Sequence, residues 1–283
     1  MTGSTDHQAW TEAQVDVDGV GLHVHRTGRR DRPALVLAHG LSDSGRCWGL
    51  VAGALAEHFD IVMLDARNHG RSDTAPTSPD LLVADVAAVI ASLGLERPAV
   101  MGHSVGAHTM ALLASRHPGS VSQLVLEDPP WTADGEHGHG PDDPQVERRA
   151  EIRAWLGSFA GMTDAEIAEA GRIQHADWPD EEYPSWIESN RQVRVEAADG
   201  LAFGGWGEVV DGIGCPTFLV FGDGERGGIV TPAVAGRIVE RNAHVTSEQI
   251  DDAGHNIRRE NFGRFIEVVG GFLRDHRTTT PDR

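Results

Sequence analysis

Ser104 lies in Gly102-His103-Ser104-Val105-Gly106, a setting that can turn a hydroxyl into a nucleophile. The apolar run Pro98 to Met101 precedes it and the helix-compatible stretch Ala107 to Arg116 follows. G-x-S-x-G between a strand and a helix is the nucleophile elbow. A strand that turns at once into a helix strains its middle residue and lifts that side chain above the sheet edge. Side chains two places before and after would collide, so both positions need glycine. A helix starting at Ser104 also aims free N–H groups and its positive dipole end at the reacting centre. A plain Gly-Ser turn would need none of this context.

A serine hydroxyl attacks a carbonyl only when a base takes its proton, usually a histidine held in one tautomer by a carboxylate. With an elbow, the expected chain order is serine, acid, histidine. His255 fits best, because it follows the last predicted strand in Asp251-Asp252-Ala253-Gly254-His255-Asn256. His103 and His108 sit in or just after the elbow and cannot easily turn back to Ser104; His137 and His139 lie in a loop further on. Three carboxylates compete for the acid. Asp128, at the tip of the strand beside the elbow, is favoured over Asp223, with Glu225 third. Asp128 also precedes two prolines, where it could serve only as a turn residue.

Acyl transfer further needs two N–H groups facing the developing oxyanion. Val105, next after the nucleophile, supplies one; Leu41, after His39-Gly40, is the simplest source of the other. His39, Gly40 and His103 are expected to border the substrate. Five of the seven tryptophans (Trp131, Trp155, Trp178, Trp186 and Trp206) fall within or beside one segment, 131–208. Above a cleft they would suit an apolar or ring-bearing group; otherwise they pack helices.

The elements around these residues alternate. Val15-Asp16-Val17-Asp18 and Leu22-His23-Val24-His25-Arg26 read as an edge hairpin, with His23 and His25 as paired solvent-facing residues and no metal. The buried-strand signals are Ala34–Ala38, Ile61–Leu64, Pro98–Met101, Val121–Leu126, Thr217–Phe221 and His244–Ile250. Helical patterns lie between them at Trp48–His58, Leu81–Leu93 and Ala107–Arg116, then at Pro232–Glu240 and Arg259–Arg274. This is a mostly parallel sheet with helices on both faces, and ligands bind beyond the carboxyl ends of its strands. Thr132–Pro144 reads as a loop, and Val146–Gly157, Thr163–Ile173 and Ser185–Ala197 as helices. Residues 131–208 are therefore expected to form a helical lid, with 1–130 and 209–283 as the core.

Composition narrows the function. Against 43 acidic residues stand 24 basic ones, a net charge of −19, which argues against nucleic acid and anionic membranes. The basic residues are all arginine, so no P-loop lysine, pyridoxal-phosphate Schiff base or lysine base can exist. No cofactor is called for. Two cysteines, Cys47 and Cys215, make no disulfide framework, and no signal peptide or membrane span is evident. A cytoplasmic monomer or homodimer acting on a small hydrophobic molecule is the expectation.

His39-Gly40, Asp65-Ala66-Arg67-Asn68-His69-Gly70-Arg71-Ser72, the Ser104 elbow and Gly254-His255 together resemble the α/β-hydrolase superfamily from about Val15 to Arg274. The resemblance implies an eight-stranded, mostly parallel sheet with a helical lid. It implies a serine hydrolase acting on a carboxylic ester or lactone through an acyl-enzyme. The family's usual acid position is disturbed here by the Gly-rich loop Arg226-Gly227-Gly228, and some similar members carry the acid where Asp128 stands. Relatives resembling epoxide hydrolases and haloalkane dehalogenases use a carboxylate nucleophile, which Ser104 argues against. A carbon–carbon bond hydrolase, a cofactor-independent oxygenase and a non-catalytic binding member share the same motifs.

Overall fold

A computed structural model describes residues 10–133, 145–201 and 205–276. The described residues hold an eight-stranded sheet in the order β1-β2-β4-β3-β5-β6-β7-β8. In chain order these are β1 (Thr11–Val17), β2 (Val20–Arg26), β3 (Ala34–Ala38), β4 (Asp60–Leu64), β5 (Ala99–His103), β6 (Gln123–Glu127), β7 (Thr217–Phe221) and β8 (Val245–Gln249). Strand β2 runs antiparallel to both β1 and β4; from β4 to β8 every pairing is parallel.

The central strands are apolar through their middles because both faces are covered. Along β3, Leu35 and Leu37 join one cluster and Val36 and Ala38 the other; Val125 and Leu126 divide in the same way on β6. One face is covered by α1 (Gly49–Leu55) and the C-terminal helix, the other by α2 (Pro79–Ser92) and α3 (Val105–Arg116). Chain order reverses direction beside β3, so the carboxyl ends of β3, β5 and β6 open on a crevice at the switch point.

Between β6 and β7 come α4 (Gln145–Ser158), α5 (Asp164–Gln174) and α6 (Tyr183–Gln192). Thr163 and Glu166 form a reciprocal capping box at the start of α5, as the sequence indicates. The helix expected over Ser185–Ala197 ends at Gln192, and a 3-10 turn over Val195–Gly200 follows. These elements have apolar clusters of their own, one around Leu156 and Leu201, the other around Phe159, Trp178 and Trp186. The loop expected at 132–144 lies outside the described residues from 134 onward. Then α7 (Trp206–Gly212) packs on α3, so the expected boundary at 208 falls inside a helix of the main body. The chain closes with α8 (Pro232–Arg241), α9 (Ile257–Glu260) and α10 (Phe262–Asp275). The expected single helix over Arg259–Arg274 is thus broken, at Asn261, whose side chain accepts from Arg264 N.

The hairpin differs from expectation in one respect. His23 and His25 are buried, at 8% and 1% exposure, because β2 is flanked by β1 and β4 and its second face is covered. Among the described residues no helix is long and apolar enough to cross a membrane.

The loop after β4 is tied to α2 by a fork. Arg67 Nε and Nη2 donate to the two oxygens of Asp85 at 2.7 and 2.6 Å, with both side chains buried. Removing one partner strands a buried charge. Arg67→Ala is expected to cost about 3–5 kcal/mol in urea unfolding, and Arg67→Leu with Asp85→Leu to recover most of it. Equal losses in the single and double variants would contradict this.

Candidate active site

The bend at Ser104 is as sharp as its glycines require. Ser104 has φ 55° and ψ −120°, and α3 starts at the next residue. A Cβ on Gly102 would run into the backbone of Gly106, and one on Gly106 into the carbonyls of Ala38 and His39. The bend is fixed by Ser104 N, which donates to Glu127 O at 2.9 Å, so the tip of β6 sets the position of the serine.

Asp128, the next residue on that tip, is fully buried and has φ 41°. Its Oδ2 accepts from His255 Nδ1 at 2.7 Å. Ile229 N and Val230 N donate to Oδ2 and Oδ1 at 2.9 and 3.0 Å. Three donors satisfy this buried carboxylate and fix the direction in which it meets the imidazole. Ser104 and His255 face the same cavity of about 240 Å³, and the His255 side chain is 27% exposed. With Nδ1 bound to Asp128, Nε2 is the nitrogen left for the cavity.

The other two carboxylates are elsewhere. Asp223 caps the short turn Gly224–Arg226 by accepting from Glu225 N at 2.9 Å, and Glu225 is exposed. The Gly-rich loop delivers two backbone amides to Asp128 in place of a side-chain acid.

Leu41, Val105, Gly40 and His103 line the cavity. The Gly40 carbonyl accepts from His39 Nδ1 at 2.7 Å and from Asp43 N at 3.1 Å. In a trans peptide the N–H points opposite the C=O, so these bonds fix where Leu41 N–H is aimed. The tautomer agrees, because His39 Nε2 accepts from Ala66 N at 3.1 Å. Burial lowers the His39 pKa and keeps that ring neutral. His39 does not line the cavity shared by Ser104 and His255. It borders a small apolar recess of about 40 Å³ that shares Gly40, Leu41 and Val105 with the cavity, and its ring is engaged by backbone. His103 Nε2 meets the carbonyl of His255 at 2.9 Å, holding the base from below. Burial, reinforced by Arg258, depresses the His103 pKa well below the usual value, so its ring is no ionic partner for Asp43 3.9 Å away.

The tryptophans divide. Trp155, Trp178 and Trp186 line the cavity with Ile152, Leu201, Gln174, His175 and Asn256. Trp131 and Trp206 do not, which corrects the expectation for both. They are fully buried in the main core, where Trp131 Nε1 donates to His108 Nδ1 at 2.9 Å and Trp206 Nε1 to Thr132 O at 3.0 Å. His137 and His139 lie outside the described residues.

Sequence reasoning missed a buried ionic cluster under the cavity floor. Asp43 accepts from Arg258 Nη2 at 2.6 Å and Arg259 Nη2 at 2.9 Å. Arg258 also binds Glu127 through N and Nη1, and Arg259 Nε donates to Glu182 at 2.9 Å. Against desolvation that would raise it, Arg259 and Arg258 hold the Asp43 carboxyl well below the usual range; burial instead raises that of Glu127. Arginines directly after a candidate base, in an apolar closing segment, were the available signal. Asp43 is the one charged side chain among the described lining residues besides the histidines, and both its oxygens are taken. His175 is neutral above its pKa of about 4, lowered by burial and by Arg259.

Residues 33–185 match the family model described as the alpha/beta hydrolase fold. The chain belongs to that family. It is 28% identical over 273 residues to N-formylmaleamate deformylase of Pseudomonas putida, covering 93% of this chain and 96% of the relative. It is 23% identical over 265 residues to 3-oxoadipate enol-lactonase 1 of Acinetobacter baylyi, covering 90% and 94%. The crystal structure of the enol-lactonase from Burkholderia xenovorans LB400 shares the fold with a TM-score of 0.73 at 21% identity, over 93% of this chain and all of that one. An α/β hydrolase similar to a deformylase and to enol-lactonases is what these likenesses support.

Trp131→Phe strands the buried His108 acceptor and leaves a void in the core, and is expected to lower stability by about 2–4 kcal/mol. The hydrolase activity of this family member should keep its kcat/KM. A shift in selectivity among esters at full stability would return Trp131 to the substrate side.

Proposed function

We propose that the protein is a serine hydrolase that cleaves a small, uncharged, apolar or aromatic carboxylic ester or lactone through an acyl-enzyme. The observation that carries this reading is the 2.7 Å bond from His255 Nδ1 to Asp128, with Ser104 on the same cavity at a strained bend. His255 Nε2 takes the Ser104 proton as Oγ attacks the carbonyl. The amides of Leu41 and Val105 receive the oxyanion, each worth about 3 kcal/mol at the transition state. The proton passes from His255 to the departing alcohol oxygen. Water, deprotonated by His255, then attacks the acyl carbon and releases Ser104.

The lining supports an uncharged substrate. Among the described residues it offers indole faces from Trp155, Trp178 and Trp186, neutral rings from His103 and His175, and no free cation. N-formylmaleamate and 3-oxoadipate enol-lactone, named for the two relatives, are carboxylates. Among the described lining residues a carboxylate would find no cation to pair with, which supports a substrate that differs from theirs in charge. The small recess beside Leu41 and Val105 suits a short acyl chain. Helices α4 to α6, with the segment joining α5 to α6, serve as the lid, through Trp155, Trp178 and Trp186 on the cavity that Ser104 faces.

The test is a p-nitrophenyl ester series with wild type and variants. Ser104→Ala should abolish turnover, and Asp128→Asn should lower kcat by about 10⁴-fold by imposing the wrong His255 tautomer. Asp223→Asn and Glu225→Gln should be silent. A crippled Asp223→Asn beside an active Asp128→Asn would overturn the acid assignment. Trp178→Ala and Trp155→Ala should change the ranking of esters by acyl size; a uniform loss with falling stability would assign them to packing alone. Anionic esters should be turned over more slowly than neutral ones of equal size, and a preference for anions would refute the charge argument.

A further inference from the structure

Strand β2 carries two histidines that the proposed chemistry does not use. His23 and His25 stand on one face with ring centroids 4.5 Å apart. His25 is 1% exposed, yet neither of its ring nitrogens has a hydrogen-bond partner. A buried imidazole with no hydrogen bond on either side, and with carboxylates of Glu12 and Asp65 3.5 and 4.0 Å from its two nitrogens, is a place where an ion could sit.

Glu12 on β1 is directly opposite His25 in the strand register. Its carboxylate spans both rings, with Oε1 3.5 Å from His25 Nδ1 and Oε2 3.7 Å from His23 Nε2. These gaps are too long for hydrogen bonds. They suit two donors on one ion, since tetrahedral bonds of about 2.0–2.1 Å hold ligand atoms roughly 3.4 Å apart. One ligand atom from each of the three residues falls within 4.8 Å of the others.

The outer groups agree. His23 Nδ1 donates to Asp65 Oδ2 at 3.2 Å, which leaves the Nε2 lone pair toward Glu12. A carboxylate behind a metal-bound imidazole is the usual device for fixing its tautomer. Asp65 is itself anchored by Gly45 N at 2.7 Å and Arg71 N at 3.0 Å. Arg71 Nη1 donates to Glu12 Oε2 at 2.5 Å, so a bound ion shares that carboxylate with Arg71, whereas Arg46 is engaged by Glu188 at 3.5 Å. Glu12 is partly exposed at 39%, which gives an entry path and room for a water as further ligand.

We propose that Glu12, His23 and His25 bind a divalent transition-metal ion of the zinc type, with Asp65 orienting His23. The two imidazoles and one carboxylate favour such an ion over calcium or magnesium, which prefer all-oxygen sets. The ion clamps β1 to β2 and, through Asp65, to the tip of β4. Strands β4 and β3 stand between β2 and the Ser104 strand, so its effect is on stability rather than on chemistry.

The test uses the full-length, tag-free chain stripped with a chelator. Calorimetric titration with Zn²⁺ should show one tight site, and bound Zn²⁺ should raise Tm as binding to the folded state demands. Co²⁺ in its place should give the visible absorption of a low-coordinate nitrogen–oxygen site. Glu12→Gln, a partly exposed change that spares the core, and His23→Gln should each weaken the site roughly tenfold or more. Circular dichroism of both apo variants separates lost ligation from lost folding. Unaltered stoichiometry and affinity in Glu12→Gln and His23→Gln, or no uptake by the wild-type chain, would overturn the proposal.

Discussion

A carboxylate with no access to water, at the end of β6, is the constraint on which the active region depends. Asp128 cannot stay charged there unless donors replace its solvation. It finds them in two amides from the loop after β7 and one ring nitrogen from the loop after β8. Those loops meet it because β6, β7 and β8 are consecutive and parallel, so their carboxyl ends point the same way. The preceding residue, Glu127, holds Ser104 N through its carbonyl. Two successive residues on one strand therefore position both partners of the proposed reaction, and the left-handed backbone at Asp128 and Ser104 is strain kept where the geometry is needed.

Beneath them lies the cluster of Asp43, Glu127, Glu182, Arg258 and Arg259. Such buried pairs are weak contributors to net stability, because desolvation offsets most of their attraction. Their consequence is positional. They join the loop after β3, the tip of β6, the helix after His255 and the segment before α6. Arg258 also lies over the Trp48 ring and Arg259 over Trp178, at 4.5 and 4.3 Å from the ring centres, so the charge cluster reaches a wall of the cavity.

Local pattern made part of this legible. Ser104 stands in a strand–turn–helix whose glycines are dictated within five residues, and His255 follows a strand with a glycine before it. The sheet followed from apolar runs of strand length. The acid was ambiguous, because Asp128, Asp223 and Glu225 all end strands on the same edge, and only tertiary contact reveals that the last two face other partners. Tryptophan content could not separate Trp155, Trp178 and Trp186 from Trp131 and Trp206, since apolar walls and cores use the same residue. His23 and His25 alternate with apolar residues as in an exposed hairpin; pairing with β4 and cover over the second face put them inside.

The most direct measurement is proton NMR of the hydrogen shared by His255 and Asp128. A strongly hydrogen-bonded, solvent-shielded Nδ1–H resonates far downfield of the amides. The account predicts such a resonance in the wild-type chain and in Asp223→Asn, and its loss in Asp128→Asn and His255→Gln while each stays folded. Its survival in Asp128→Asn, or its loss in Asp223→Asn, would contradict the arrangement described.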